Sequence, residues 1–368
     1  MIRQKQRYFC RHCNIFFISE ADNNVSGKPA VPTITDIAKE LGFSISTVSK
    51  ALHNHADISN EKKALVHAKA AELDYRPNTH AASLRKQKTM TIGIIVPEFT
   101  QSFYPKIILE INNLLTLHDY TLIILQSNNS PDNELKNINT LLDNKVDGII
   151  GSVTFKTSIL SGFQKIIGHR VPLVMFSRYP SGLVCPHIKV NDFLGAYQVV
   201  KHLIQKGYKK IGYIGGPDHI SLCNDRYTGY LKALNEYDLE TAESWIVQQS
   251  DVIENAQVYA ARLLQQKNRP DAIFAFTDPV AIGVIEAARK LAINIPGELG
   301  LTGFSDDPIS KYIQPGITTM RQPLALIAEK IVTNLIDLIT NGYQSQHFPE
   351  ELELAVLVER ESSNKPSV

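Results

Sequence analysis

The stretch GFSISTVSKAL, Gly42 to Leu52, gathers Ser44, Ser46, Thr47 and Ser49 beside a single cation, Lys50. Such hydroxyl residues are mediocre helix formers, because their side chains compete for backbone hydrogen bonds. A segment selected for stability alone would carry Ala, Glu or Lys, so these hydroxyls point to a partner outside the protein. Other candidate chemistry is sparser. CRHC, Cys10 to Cys13, has the C-x-x-C spacing of half a zinc site, but no second pair follows, and Cys185 and Cys223 stand alone. IGGP at 214–217 lacks Walker spacing and the Lys-Ser/Thr pair, and reads as a tight turn. There is no nucleophile elbow, no GxGxxG after a strand and no closely spaced His/acid set. The expectation is a binding protein, not an enzyme, with neither metal nor cofactor.

The hydroxyl-rich segment needs a scaffold, and its neighbours supply one. Thr33 is an N-cap candidate with Asp36 three residues on, ahead of IAKELG. Gly42 ends that helix and Ser44 can cap the next, in which Ile45, Val48 and Leu52 repeat at helical spacing. Two helices joined by a tight glycine-containing turn are a helix-turn-helix signal. A third helix is expected from Ser59, with Leu65, Ala68 and Leu73 closing a small core. Residues 1–88 carry 14 Lys+Arg against 8 Asp+Glu, hence +6, and the remainder 24 against 29, hence −5. A basic front on an acidic body is the pattern of a nucleic-acid-binding module joined to something else.

After Pro77 the grammar changes. Short apolar runs such as TIGIIVP, YTLIILQS, VDGIIGS, VPLVMFS, KIGYIGGP and AIFAFTD alternate with helical segments such as AYQVVKHLIQKGY and VAIGVIEAARKL. Strand–helix alternation predicts a parallel α/β sheet. The number of units exceeds one modest domain, so two Rossmann-like lobes are expected. No run of about 18 apolar residues appears, which argues against a membrane helix. With only IFFI as an apolar patch near the start and no disulfide framework, the expected location is cytoplasmic. Residues 1–32 read as a disordered extension.

By this point the residues resemble the LacI/GalR-type bacterial transcriptional regulators, from about Thr33 to Ser363. TITDIAKELGFSISTVSKAL resembles the family's DNA-binding opening, and ELDYRPNTHAASLRKQKTMTIGIIVP its third helix, linker and first strand. NKVDGII, HLIQKGYKKIGYIGGP, DRYTGY, AIFAFTDPVAIG, GFSDDPIS, ITTMRQP and VERESS follow in family order. The fold class so implied is α/β: an N-terminal all-α helix-turn-helix DNA-binding domain (33–77), a hinge helix or linker (78–89), and a two-lobed periplasmic-binding-protein-like body with parallel sheets (90–368). The N-lobe would take about 90–190 and 318–345, the C-lobe about 191–317 and 346–363.

The resemblance also implies roles. Ser44 to Leu52 would be a recognition helix, with Ile45 and Ser46 at base-reading positions and Thr47 and Ser49 on phosphate. Lys50 stands where many members have Arg, and lacks the planar fork for bidentate guanine reading. Thr33, His53, Asn54, Tyr75 and Asn78 fall at or near backbone-contacting positions. Ala81, Ser83 and Leu84 would face the minor groove, Leu84 as a wedge at the central base step. In the body, Ser102, Phe103, Ser127, Asn128, Arg178, Arg226, Asp278 and Asp306 follow strands or match effector-binding positions. Ser177-Arg178 replaces an Asp-Arg pair common in the family. The implied function is a DNA-binding transcriptional regulator, a repressor whose operator affinity a sugar or related metabolite controls. It would act as a homodimer on a near-palindromic double-stranded site, with no membrane partner. The alternative is a solute-binding receptor without DNA function.

Overall fold

The computed structural model describes residues 6–10, 15–19, 32–75, 88–157, 160–180, 182–343 and 351–365. Two compact units emerge, Met1–Ala82 and Ser83–Val368.

The first unit opens with antiparallel strands β1 (Gln6–Cys10) and β2 (Ile15–Ser19), Cys10 pairing with Ile15. The expected disordered extension therefore contains a strand pair; Cys13 lies outside the described residues. Helices α1 (Ile34–Leu41), α2 (Ile45–Leu52) and α3 (Asn60–Glu72) follow. The Asp36 carboxylate accepts from the Thr33 N–H at 2.8 Å and the Thr33 hydroxyl at 2.7 Å, and these bonds hold its pKa below the ordinary value. Gly42 closes α1 with φ +65°, a left-handed conformation that disfavours a side chain. Ser44 caps α2 by accepting from the Thr47 N–H at 3.1 Å. The core is Ile37, Ala38, Val48, Ala51, Val66 and Ala70. The expected face of α3 is corrected: Leu65 is half exposed and Ala68 exposed, while Val66 and Ala70 point inward and Leu73 packs against them. Both stripes are apolar in sequence, and contact with α1 and α2 selects between them.

In the second unit, one sheet is wholly parallel. Its strands are β3 (Thr91–Val96), β4 (Thr121–Gln126), β5 (Gly148–Gly151), β6 (Leu173–Phe176), β7 (His187–Val190) and β13 (Glu351–Glu353), in spatial order β13-β7-β6-β5-β3-β4. The other is parallel too: β8 (Ile211–Gly215), β9 (Ile246–Gln248), β10 (Ala272–Ala275) and β11 (Gly300–Thr302), in order β11-β10-β8-β9. Their near-continuous Val/Ile/Leu/Ala/Gly runs suit strands covered on both faces. A short antiparallel pair, β12 (Thr319–Arg321) with β14 (Val356–Val358), lies where the chain passes between lobes.

The chain crosses between lobes three times. It leaves the first sheet after β7, and returns after β12 to form the helix Leu324–Asn341, whose Leu335 meets the bare face of Gly148. It then adds β13 to the first sheet and leaves again through β14. Assigning 346–363 wholly to the C-lobe therefore differs from the observed pairing, in which β13 joins β7 of the N-lobe. In both sheets the strand order reverses, between β3 and β5 and between β8 and β10. Crevices at the carboxyl ends of strands form at such switch points.

Candidate DNA interface and ligand cleft

On the helical unit, α2 presents Ile45, half exposed, with Ser46 and Lys50 exposed and Thr47 and Ser49 half-buried. An apolar side chain without cover beside hydroxyls and a cation can pack on a thymine methyl while its neighbours bond phosphate or base edges. Some of these groups already have partners within the protein. The Ser44 hydroxyl is engaged as the cap, and lies 2.9 Å from Ser46 Oγ and 2.8 Å from Thr47 Oγ1. His53 Nδ1 donates to the Ser49 carbonyl at 2.7 Å, which docks the ring on the end of α2. Asn54 adopts φ +54°, and its amide oxygen accepts from His67 Nε2 at 3.4 Å. Thr33 holds Asp36, and Tyr75 is half-buried against the core. Lys50 lies 2.5 Å from Asp57, whose other carboxylate oxygen takes His55 Nδ1 at 2.5 Å. The Lys50 hydrogen bond above all lowers the Asp57 pKa to about 2. Asn78, Ala81, Ser83 and Leu84 lie outside the described residues.

In the body, a cavity of about 30 Å³ sits between the strand ends of the two lobes. From the first lobe, Gln101, Phe103 and Tyr104 follow β3, Phe155 follows β5, and Ser177 and Arg178 follow β6. From the second, Leu222 and Arg226 lie on the helix Ser221–Glu236, Phe276 and Thr277 follow β10, and Ser305 follows β11; Gln322 comes from the crossover after β12. Both switch points thus supply the walls. Ser177 and Ser305 have φ +57° and +118°, and nearby strand-end residues Asn128, Asn129 and Asp306 are also left-handed. His219 Nε2 donates to the Phe155 carbonyl at 2.9 Å, bridging the lobes.

The two arginines are buried, and each has a carboxylate partner. Arg226 donates through Nε and Nη2 to Asp192 Oδ1, both at 2.7 Å, and its guanidinium lies 3.7 Å above the Phe304 ring centre. Burial raises the Asp192 pKa, with Arg226 opposing. Arg178 lies 3.5 Å above the Phe155 ring centre and 3.3 Å from Glu98 Oε1. The carboxylate that the sequence lacks at 177 is thus supplied by Glu98. Thr277 Oγ1 is sealed from solvent and makes no hydrogen bond among the described residues.

Of the expected effector residues, Phe103, Arg178 and Arg226 line this cavity, and five do not. Asp278 is wholly buried and saturated. It accepts from Thr319 Oγ1 at 2.6 Å, Ser310 Oγ at 2.8 Å and the Asp307 N–H at 2.7 Å. Burial raises its pKa to about 6 against those three bonds. Gly303 allows this approach, since a Cβ there would fall 2.2 Å from Asp278 Oδ1. Asp306 is bound by Arg321 at 2.6 Å and Arg360 at 2.5 Å, Ser127 donates to the Val96 carbonyl at 3.1 Å, and Asn128 accepts from Gln126. The Ser102 N–H points to Asp307 Oδ2 at 3.4 Å. The lining residues not expected from sequence had faint signals: Phe155 comes three residues after the VDGIIGS run, Thr277 precedes Asp278, and Gln322 lies within ITTMRQP.

Residues 33–78 match the family described as bacterial regulatory proteins, lacI family, and residues 200–363 match a periplasmic binding protein-like domain. The NTD biosynthesis operon regulator NtdR of Bacillus subtilis (strain 168) is 32% identical over 313 residues, covering 85% of this chain and 94% of the relative. The chain belongs to the LacI family. As a LacI-family protein it is a DNA-binding transcriptional regulator with an effector-binding body, which disfavours the solute receptor. The transcriptional repressor PurR of Serratia proteamaculans (strain 568) is 31% identical over 85% of this chain and 92% of its own length. The lac repressor dimer bound to operator and the anti-inducer ONPF has a TM-score of 0.78 over 90% of this chain and 99% of that one, at 19% identity, which shows the shared fold. Among the described residues no helix is long and apolar enough to cross a membrane.

Proposed function

We propose that this LacI-family regulator represses transcription in the cytoplasm as a homodimer on a near-palindromic operator, and that a neutral polyhydroxylated ligand of the sugar class controls its grip. On DNA, α2 lies in the major groove with Ile45 and Ser46 toward base edges and Thr47 and Ser49 toward phosphates. Leu84 is assigned the minor-groove wedge on the family resemblance. The observation that carries the ligand class is the charge balance of the cleft. Arg178 and Arg226 each face a buried carboxylate, Glu98 and Asp192. Among the described residues lining it, no unpaired cation invites a phosphate or carboxylate, whereas aromatic faces, amides and the free Thr277 hydroxyl suit sugar C–H faces and hydroxyls.

Ligand pockets typically measure about 300–1,000 Å³. The present cavity, about 30 Å³, is far smaller. Binding therefore moves Arg178 and Phe155 or separates the lobes, and that displacement carries the response to the DNA-binding unit. The ligand shifts affinity only by its preference for one lobe arrangement over the other.

Selection from a random duplex pool by the purified protein, at one stated salt concentration, tests the DNA reading; a two-fold symmetric enriched sequence is expected. Neutral sugars and their phosphate esters are then titrated against that complex. A response to the phosphorylated compounds alone overturns the ligand class, and absence of any enriched sequence overturns the operator reading.

A further inference from the structure

Helix α2 carries one basic side chain, Lys50, and it is already paired. Its ammonium lies 2.5 Å from one Asp57 oxygen, and His55 Nδ1 lies 2.5 Å from the other, with side-chain exposures of 49% (Lys50), 49% (Asp57) and 62% (His55). This carboxylate, which also takes a backbone hydrogen bond, is not what closes the turn. Asp57 belongs to the exposed turn before α3, and that turn is closed by backbone bonds, His55 N–H to the Lys50 carbonyl at 3.0 Å and Ile58 N–H to the His55 carbonyl at 3.3 Å. An anion kept at the edge of a surface meant for phosphates works against affinity, so its use must lie elsewhere.

We propose that Asp57 is a specificity-determining residue that withholds Lys50 from the phosphates of non-operator DNA. The inference rests on the placement of α2 against DNA proposed above. An exposed ion pair is weak and screened, so a well-registered phosphate can still capture Lys50. On arbitrary sequence the register is loose. Exchanging the carboxylate for a phosphate then gains little and leaves Asp57 facing the DNA backbone. At an operator, base contacts from Ile45 and Ser46 fix the register and offset that repulsion. Discrimination thus comes from weakening the wrong complex more than the right one.

The test uses the full chain, a 30-base-pair duplex of arbitrary sequence and the operator from the pool, with binding read by anisotropy between 50 and 200 mM salt. Asp57→Asn should tighten non-operator binding and steepen its log–log salt slope by about 0.9, one added phosphate contact. Its advantage over wild type should accordingly shrink about 3.5-fold across that salt range. On operator the gain should be smaller. In a Lys50→Gln background the gain should fall to the smaller part that relief of the Asp57 repulsion gives, without the steeper slope. Asp57→Ser, with unchanged circular dichroism, should behave like Asp57→Asn. An unchanged slope, a gain undiminished in Lys50→Gln, or an equal gain on both DNAs overturns the inference. Salt-independent binding by wild type overturns the placement of α2 itself, a distinct result.

Discussion

Replacing Arg226 by Met tests how the cleft is held together. The substitution keeps an unbranched apolar stem over Phe304 but removes both bonds to Asp192, leaving a carboxylate that is 3% exposed without its counter-ion. Breaking a buried pair by removing one partner costs about 3–5 kcal/mol. For a domain of this size that corresponds to a melting temperature lower by roughly 6–20 °C. The deficit should also depend on pH. Without Arg226, the Asp192 pKa in the folded state, already raised by burial, rises further above its unfolded value. The folded form then binds the extra proton, so stability is greatest at low pH and is lost as pH rises through the folded pKa, by up to about 1.4 kcal/mol per pH unit. Trp245, the single tryptophan and fully buried, reports unfolding of the second lobe by fluorescence in urea. The double variant Asp192→Asn/Arg226→Met should recover most of the loss at pH 8. A deficit independent of pH, or a double variant no more stable than Arg226→Met, would refute the reasoning and place the cost in guanidinium packing.

Glu134, buried and bonded to the Thr154 N–H at 3.0 Å and Thr157 Oγ1 at 2.9 Å, has its pKa raised to about 7 by burial. Its folded pKa exceeds the unfolded one, so wild type should lose about 2.5 kcal/mol of stability between pH 5 and 8, and Glu134→Gln should flatten that dependence in urea titrations. Ser44→Ala removes the α2 cap and should cost about 1 kcal/mol, seen as faster amide exchange across 45–52. Val66→Ala should destabilise the helical unit by about 1–2 kcal/mol, whereas Leu65→Ala should change it by under about 0.5 kcal/mol, compared by thermal melts of the full chain followed by helical circular dichroism.

The helix-turn-helix and most body strands were legible because their evidence is local: caps at Thr33 and Ser44, glycine at 42, apolar runs of strand length. What escaped depends on residues far apart in sequence. Glu98 meets Arg178 across 80 positions, and Asp278 is saturated by Ser310 and Thr319, so a strand-end acid that resembled a ligand group became a structural acceptor. ELE at 351–353 gives no sign of which lobe it joins, since either sheet offers an edge. The strand pair near the start was missed for another reason. RYFC and IFFIS are strand-like runs, but they are set in polar, charged surroundings.

The pairing of β13 with β7 joins residues 188 and 351 in one ladder. On the ribosome, the first lobe therefore emerges with one sheet edge bare and its covering helix Leu324–Asn341 still unmade, while most of the second lobe is synthesised. That edge is a template for stray pairing until the tail arrives. A chain cut short before residue 324 would thus fail in its first lobe, although every strand of that lobe but the last would be present. Premature termination is expected to register as aggregation of the part made earliest.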